Sequence, residues 1–138
     1  MDRALHYLSL ARKAGLAELG EEPVGAVTRA LKARLVIVAS DASDHTWRRA
    51  KSFVAGTDQQ CIRVSFSKDE LGLAIGRQSL AILALTDAAM AAAFVKALPD
   101  AAKFADVAAK LDEKAAKLKQ RKDEEKAHQR NVRFGKKK

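Results

Sequence analysis

The residue types able to make or break bonds are sparse in this sequence and badly spaced for it. His6, His45 and His128 stand far apart without companion ligands, whereas a zinc site needs about four ligands at short spacing. Cys61, the single cysteine, has no disulfide partner. Beside a strand-like run it reads as a small apolar side chain. Arg63 is near, but nothing in the sequence makes Cys61 a reactive thiol. Asp41, Asp44 and Asp87 fit the capping role, in which a carboxylate accepts from an orphaned backbone N–H. No G-x-x-x-x-G-K-[ST] or G-x-G-x-x-G phosphate loop occurs, no G-x-S-x-G elbow and no H-E-x-x-H. The sequence therefore predicts no catalytic residue, no metal site and no cofactor, and the chain is expected not to be an enzyme.

Charge is the stronger signal. Twenty-six Lys and Arg against 17 Asp and Glu leave a formal net charge of +9 over 138 residues. Most of it is local, since residues 110–138 hold twelve basic and five acidic side chains. A concentrated cationic segment draws polyanions by releasing their condensed counterions, and nucleic acid is the commonest such partner. No run of 18 apolar residues exists, so neither a membrane span nor a membrane partner is expected. Met1-Asp2-Arg3 leads straight into a helix-like pattern without the apolar block of a signal peptide, which implies a cytoplasmic address.

Helices and strands alternate around these residues. Leu5, Leu8 and Ala11 recur at helical spacing behind Asp2, and Gly15 closes that helix. Leu16 to Leu19 forms a short strand. Gly20-Glu21-Glu22-Pro23 is a turn into a second helix, with Val24, Val27 and Leu31 facing inward and Arg29 and Lys32 outward. Leu35-Val36-Ile37-Val38-Ala39 is an unbroken apolar run, the pattern of a strand covered on both faces. After the polar turn Ser40-Asp41-Ala42-Ser43 comes a helix carrying Trp47, Ala50, Phe53 and Val54. Trp47 reads as core, with a stacking platform as the second reading. The segment from Cys61 to Phe66 alternates like a strand. Ser67 and Glu70 form a capping box for a helix over 68–75. Residues 76–79 are a loop, Leu80 to Leu85 a second apolar strand, and Thr86-Asp87 caps a helix that Pro99 ends.

This order implies an α/β fold with helices on both faces of a four-stranded sheet, a three-layer α-β-α sandwich. Phe104, Val107, Ala108, Leu111, Ala115 and Leu118 keep helical spacing and predict a further C-terminal helix. Beyond Leu118 no large aliphatic residue appears until Val132, too little apolar surface to order a segment. The expected organisation is an α/β domain over 1–98, an added amphipathic helix over 99–118 and a basic, disordered tail over 119–138.

Five segments in order resemble the ribosomal protein L-seven-Ae family of kink-turn RNA binders. They are Leu10-Ala11-Arg12-Lys13-Ala14-Gly15, Gly20-Glu21-Glu22, the stretch from Leu35 to Ser43, Leu71-Gly72-Leu73-Ala74-Ile75-Gly76, and Leu85-Thr86-Asp87. The likeness covers residues 3–98 and points to the bacterial branch of small ribosome-associated proteins. It implies a sandwich on a mixed sheet and a non-catalytic partner of structured or ribosomal RNA. The family reads sheared G·A pairs with a G-x-N-E-x-x-K segment. Gly20 keeps its glycine, but Glu22, Pro23 and Ala26 stand at the Asn, Glu and Lys positions. A carboxylate only accepts hydrogen bonds and repels phosphate, and the lost lysine removes a donor, which argues against high-affinity kink-turn recognition.

The family's second contact region is the loop before the last strand. Here Arg77 is suited to phosphate or to stacking on a base, and Gln78 and Ser79 to donating to RNA. The candidate RNA-binding residues are thus Gly20, Glu21, Glu22, Arg29, Lys32, Asp41, Ala42, Arg77, Gln78 and Ser79. Ligands of α/β sheets gather beyond the carboxyl ends of strands, so the three turns are expected to share one rim. Two other readings remain. The helix over 104–118 has the pattern of a segment that docks on a protein partner or a second copy. The small fold also resembles the recognition domain attached to some RNA ribose methyltransferases, an accessory of an RNA-modifying enzyme.

Overall fold

A computed structural model describes residues 2–133. Helix α1 (Arg3–Lys13) is capped by Asp2, whose carboxylate accepts from the Ala4 N–H at 2.8 Å. Gly15, at a φ of +74°, then turns the chain into strand β1 (Ala17–Leu19), a conformation that costs glycine nothing. There follow α2 (Glu21–Arg29), β2 (Leu35–Val38), α3 (Asp44–Val54), β3 (Gln60–Arg63), α4 (Lys68–Ala74), β4 (Ile82–Leu85) and α5 (Ala88–Lys96). A 3-10 turn (Ala101–Phe104) leads into α6 (Ala105–Arg133).

The sheet is mixed, in the order β1-β4-β2-β3. Strands β2 and β3 are parallel, and β4 runs antiparallel to both of its neighbours, β1 and β2. Every residue of the two central strands, β2 and β4, is buried, as their unbroken apolar runs require. Helices α2 and α3 pack together and against the central strands, while α1 packs on α4 and α5. The result is the expected α-β-α sandwich, and its core centres on Leu8, Leu35, Ile37, Leu71, Leu83, Leu85 and Phe94.

Four details depart from the sequence reading. Helix α2 begins at Glu21, with Gly20 as its N-cap at a φ of +97°, so both carboxylates lie inside the first turn beside Pro23. Leu31 does not face inward. It follows the helix end at a φ of +60° and is 60% exposed. Strand β3 stops at Arg63, although the Val64 N–H still donates to Val38 at 2.9 Å.

The largest departure is at the C-terminus. Helix α6 does not end at Leu118 but continues to Arg133, so residues 119–133 are helical rather than disordered. Ala, Lys, Glu, Gln and Arg lose little on entering a helix, and that propensity orders a segment without any apolar face. All residues from Lys119 to Gln129 are exposed. The expectation for residues 134–138 lies outside the described residues. Earlier in α6, Leu111 is 2% exposed, and Phe104, Val107 and Ala108 pack on the core. The apolar side of the 104–118 stretch is therefore covered by the chain's own body as far as Leu111, whereas Ala115, Ala116 and Leu118 line an open groove of about 600 Å³ against Ala88 and Ala89.

Candidate nucleic-acid interface

Strands β1 and β2 run toward one end of the sheet, and β4 begins there. Backbone bonds tie the flanking segments together. The Gly20 N–H donates to the Ile82 carbonyl at 3.0 Å, and the Ala39 N–H donates to Ala81 at 2.9 Å. The Ser40 N–H donates to Phe66 at 2.8 Å and the Leu80 N–H to Lys68 at 3.0 Å. The Lys68 N–H donates to Asp41 Oδ1 at 2.8 Å. The 20–22 turn, the 40–43 turn and the segment entering β4 thus form one rim.

Gly72 sets the position of the 76–79 loop. A Cβ at Gly72 would fall 2.7 Å from the Ser79 nitrogen and 2.8 Å from the Arg77 carbonyl oxygen and the Ser79 Cα. The Arg77 N–H donates to the Gly72 carbonyl at 2.8 Å. The Arg12 guanidinium donates to the Ile75 carbonyl from α1. The loop backbone is held from two sides, while Arg77, Gln78 and Ser79 are exposed.

Asp41 and Ala42 hold the rim together rather than pointing outward. Asp41 is taken by the Lys68 N–H, and Ala42 is buried, with its carbonyl accepting from Arg63 Nη2 at 2.6 Å. Arg63 also lies 5.5 Å from the Trp47 ring centre, and Lys51 lies 5.3 Å from it. Trp47 is half-buried against the core and carries these two cations, so it supports the turn. Arg63 is a site residue that the sequence did not mark. Its only sequence signal is an arginine at the exit of a strand.

Glu21 faces α3, where Arg49 Nε lies 2.7 Å from its carboxylate. Glu70 accepts from the Ser67 N–H at 2.9 Å, completing the capping box. Three of the acidic groups around the rim are therefore engaged within the protein, and Glu22 is exposed. Arg77 and Lys68 take part in no ion pair among the described residues.

Arg29 and Lys32 are not on this rim. Helix α2 starts at the rim and runs away from it. Its last residues lead to Arg34, whose N–H donates to Leu85 at the far end of β4. Arg29 lies back along α2 beside Phe53, since the Cβ position of Gly25 is 3.2 Å from both Arg29 Nη1 and the Phe53 ring.

His6, His45 and His128 are exposed, and no cluster of three or more His, Cys, Asp or Glu suited to a metal ion exists among the described residues. Burial pushes the Cys61 thiol up to about 12, so it stays protonated near neutral pH. No helix among the described residues is long and apolar enough to cross a membrane.

No family model matches the chain, and no curated protein matches it. Solved structures do. A protein of unknown function from Bacillus halodurans C superposes with a TM-score of 0.63 at 25% identity, over 81% of this chain and 99% of that one. The 15.5 kD RNA-binding protein of Giardia lamblia superposes with a TM-score of 0.58 at 16% identity, over 79% of this chain and 84% of that one. The sandwich described above is thus a fold that an RNA-binding protein also has.

Proposed function

We propose that this chain binds RNA without performing chemistry on it, as a cytoplasmic, ribosome-associated protein of the bacterial branch of the L-seven-Ae family. Structured RNA, ribosomal RNA foremost, is its partner. What supports this reading is the meeting of the 20–22 turn, the 40–43 turn and the segment entering β4 at one sheet end, with the 76–79 loop just before that segment, in a fold that the Giardia RNA-binding protein shares.

On this reading the exposed Arg77 takes a phosphate or stacks on a base, and Gln78 and Ser79 donate to base edges or ribose hydroxyls. Gly20, Glu21, Asp41 and Ala42 shape the rim. Glu22, exposed where the family has asparagine, turns the contact from reading sheared pairs toward reading shape. Non-specific affinity comes from the cations of α6.

Crosslinking in cells, followed by sequencing of the bound RNA, tests the reading. The expected result is a set of discrete structured sites for the natural sequence, depleted in Arg77→Ala. Crosslinks unchanged in Arg77→Ala would remove the loop from the interface. A natural sequence that captures no RNA would remove RNA altogether.

A further inference from the structure

The sheet end opposite the rim carries cations that nothing in the rim accounts for. The chain enters β2 there through Lys32, Ala33 and Arg34, and α6 passes across the same end. Arg34, Lys110 and Lys114 line one crevice together with Asp58 and Gln60. Asp58 is the one carboxylate in that lining, and Lys114 Nζ already lies 3.0 Å from its Oδ2. Arg34 and Lys110 form no ion pair among the described residues. The Arg34 Nε is buried with no hydrogen-bond partner among them. The crevice holds about 10 Å³, room for one water on that nitrogen, so a phosphate would meet the half-buried Arg34 side chain from outside, where its guanidinium charge still acts.

The crevice does not end at the body. Lys110, Lys114, Lys117 and Arg121 follow one another at spacings of four, three and four. On a helix such residues stand above one another on one side. They form a stripe that starts at Arg34 and climbs onto the exposed part of α6, in which Lys114 and Lys117 pair with Asp58 and Glu113 while Lys110 and Arg121 form no ion pair among the described residues.

We propose that this end is a second RNA-binding surface, which takes phosphates of the RNA backbone through Arg34, Lys110 and the α6 stripe. One molecule then holds two RNA segments, one at each end of the sheet. This inference rests on the RNA reading of the rim. The two surfaces are far apart, because Arg34 and Ser40 lie six residues apart along an extended strand, about 20 Å.

The test uses the full-length chain and two RNA hairpins, one labelled with a donor dye and one with an acceptor. Energy transfer is expected to peak near one protein per two hairpins and to fall again in excess protein, when each hairpin takes its own molecule. Arg34→Gln combined with Lys110→Gln is expected to abolish transfer while one hairpin still binds, with the log–log salt slope of total binding smaller by about two units. Lys110→Glu alone, at an exposed position that folding does not need, is expected to weaken transfer at least severalfold. Arg77→Ala is expected to abolish transfer through loss of the rim while the second surface still binds. Hairpin binding that saturates at one per protein without transfer would overturn the second surface and leave the rim reading standing. Transfer that survives the double substitution would overturn it as well. Failure of the natural sequence to bind either hairpin would overturn the RNA reading itself.

Discussion

At Gly72 one absent methyl group decides where the rim loop can lie. Backbone atoms of Arg77 and Ser79 occupy the space a side chain would need, and backbone cannot swing aside as a side-chain tip does. Gly72→Ala is predicted to destabilise the protein by about 2 kcal/mol, the usual cost of overpacking, and to lower RNA affinity by displacing Arg77 and Ser79. Arg77→Ala is predicted to lower affinity while stability stays within about 0.5 kcal/mol, because the side chain is exposed. Urea unfolding and RNA titration of the two variants side by side separate loop placement from contact. A second prediction concerns Asp58, whose carboxyl Lys114 holds below the ordinary range through a hydrogen bond and its charge. The folded protein then binds fewer protons there than the unfolded chain. The pair's stabilisation is present at neutral pH and fades as pH falls below about 4. Asp58 is 72% exposed, so water screens the pair and its worth is at most about 1 kcal/mol. A double-mutant cycle with Asp58→Asn and Lys114→Gln should show coupling near pH 7 that shrinks near pH 3.

Among the elements, α6 offers the sharpest contrast between order and stability. Residues 119–129 touch too little of the body to add to its cohesion, since all of them are exposed. Removing 119–138 is predicted to lower the helical signal in circular dichroism while the unfolding free energy moves by less than about 0.5 kcal/mol. Phe94→Ala, in the fully buried face of α5, is predicted to cost about 4 kcal/mol in the same denaturation experiment. The elements most legible in the sequence were those with two agreeing signals. Ser67 with Glu70 marked the start of α4, and the runs from Leu35 and from Leu80 marked the central strands. Where a single rule spoke, it misled. Absence of large apolar residues after Leu118 suggested disorder, yet local helix propensity prevailed. Arg29 and Lys32 share a segment with Gly20, but a nine-residue helix is about 13 Å long and carries them off the rim. Gly72 and Arg63 act through neighbours distant in sequence, and no local pattern announces such partners.

For the molecule as a whole, charge and shape are divided between two places. The rim is compact and carries both signs: Glu21 pairs with Arg49, Asp41 and Glu70 bond backbone N–H groups, and exposed Glu22, Asp44 and Asp69 stand near Arg77 and Lys68, none of the five in an ion pair among the described residues. Such a surface selects by fit more than by field. The net positive charge that gives long-range attraction is concentrated beyond Leu118, where residues 119–138 hold nine basic and three acidic side chains. On the RNA reading proposed above, encounter and salt sensitivity follow the helix, and discrimination between RNAs follows the rim. The most direct measurement is a fluorescence-anisotropy titration of a structured ribosomal RNA fragment at several salt concentrations, for the full-length chain and for residues 1–118. Both proteins are predicted to bind in dilute salt. The shorter one is predicted to have a log–log slope smaller by several units, close to one for each phosphate that the missing cations would have neutralised. A full-length chain that leaves the RNA unbound in dilute salt, or a slope that truncation does not change, would contradict this division between helix and rim.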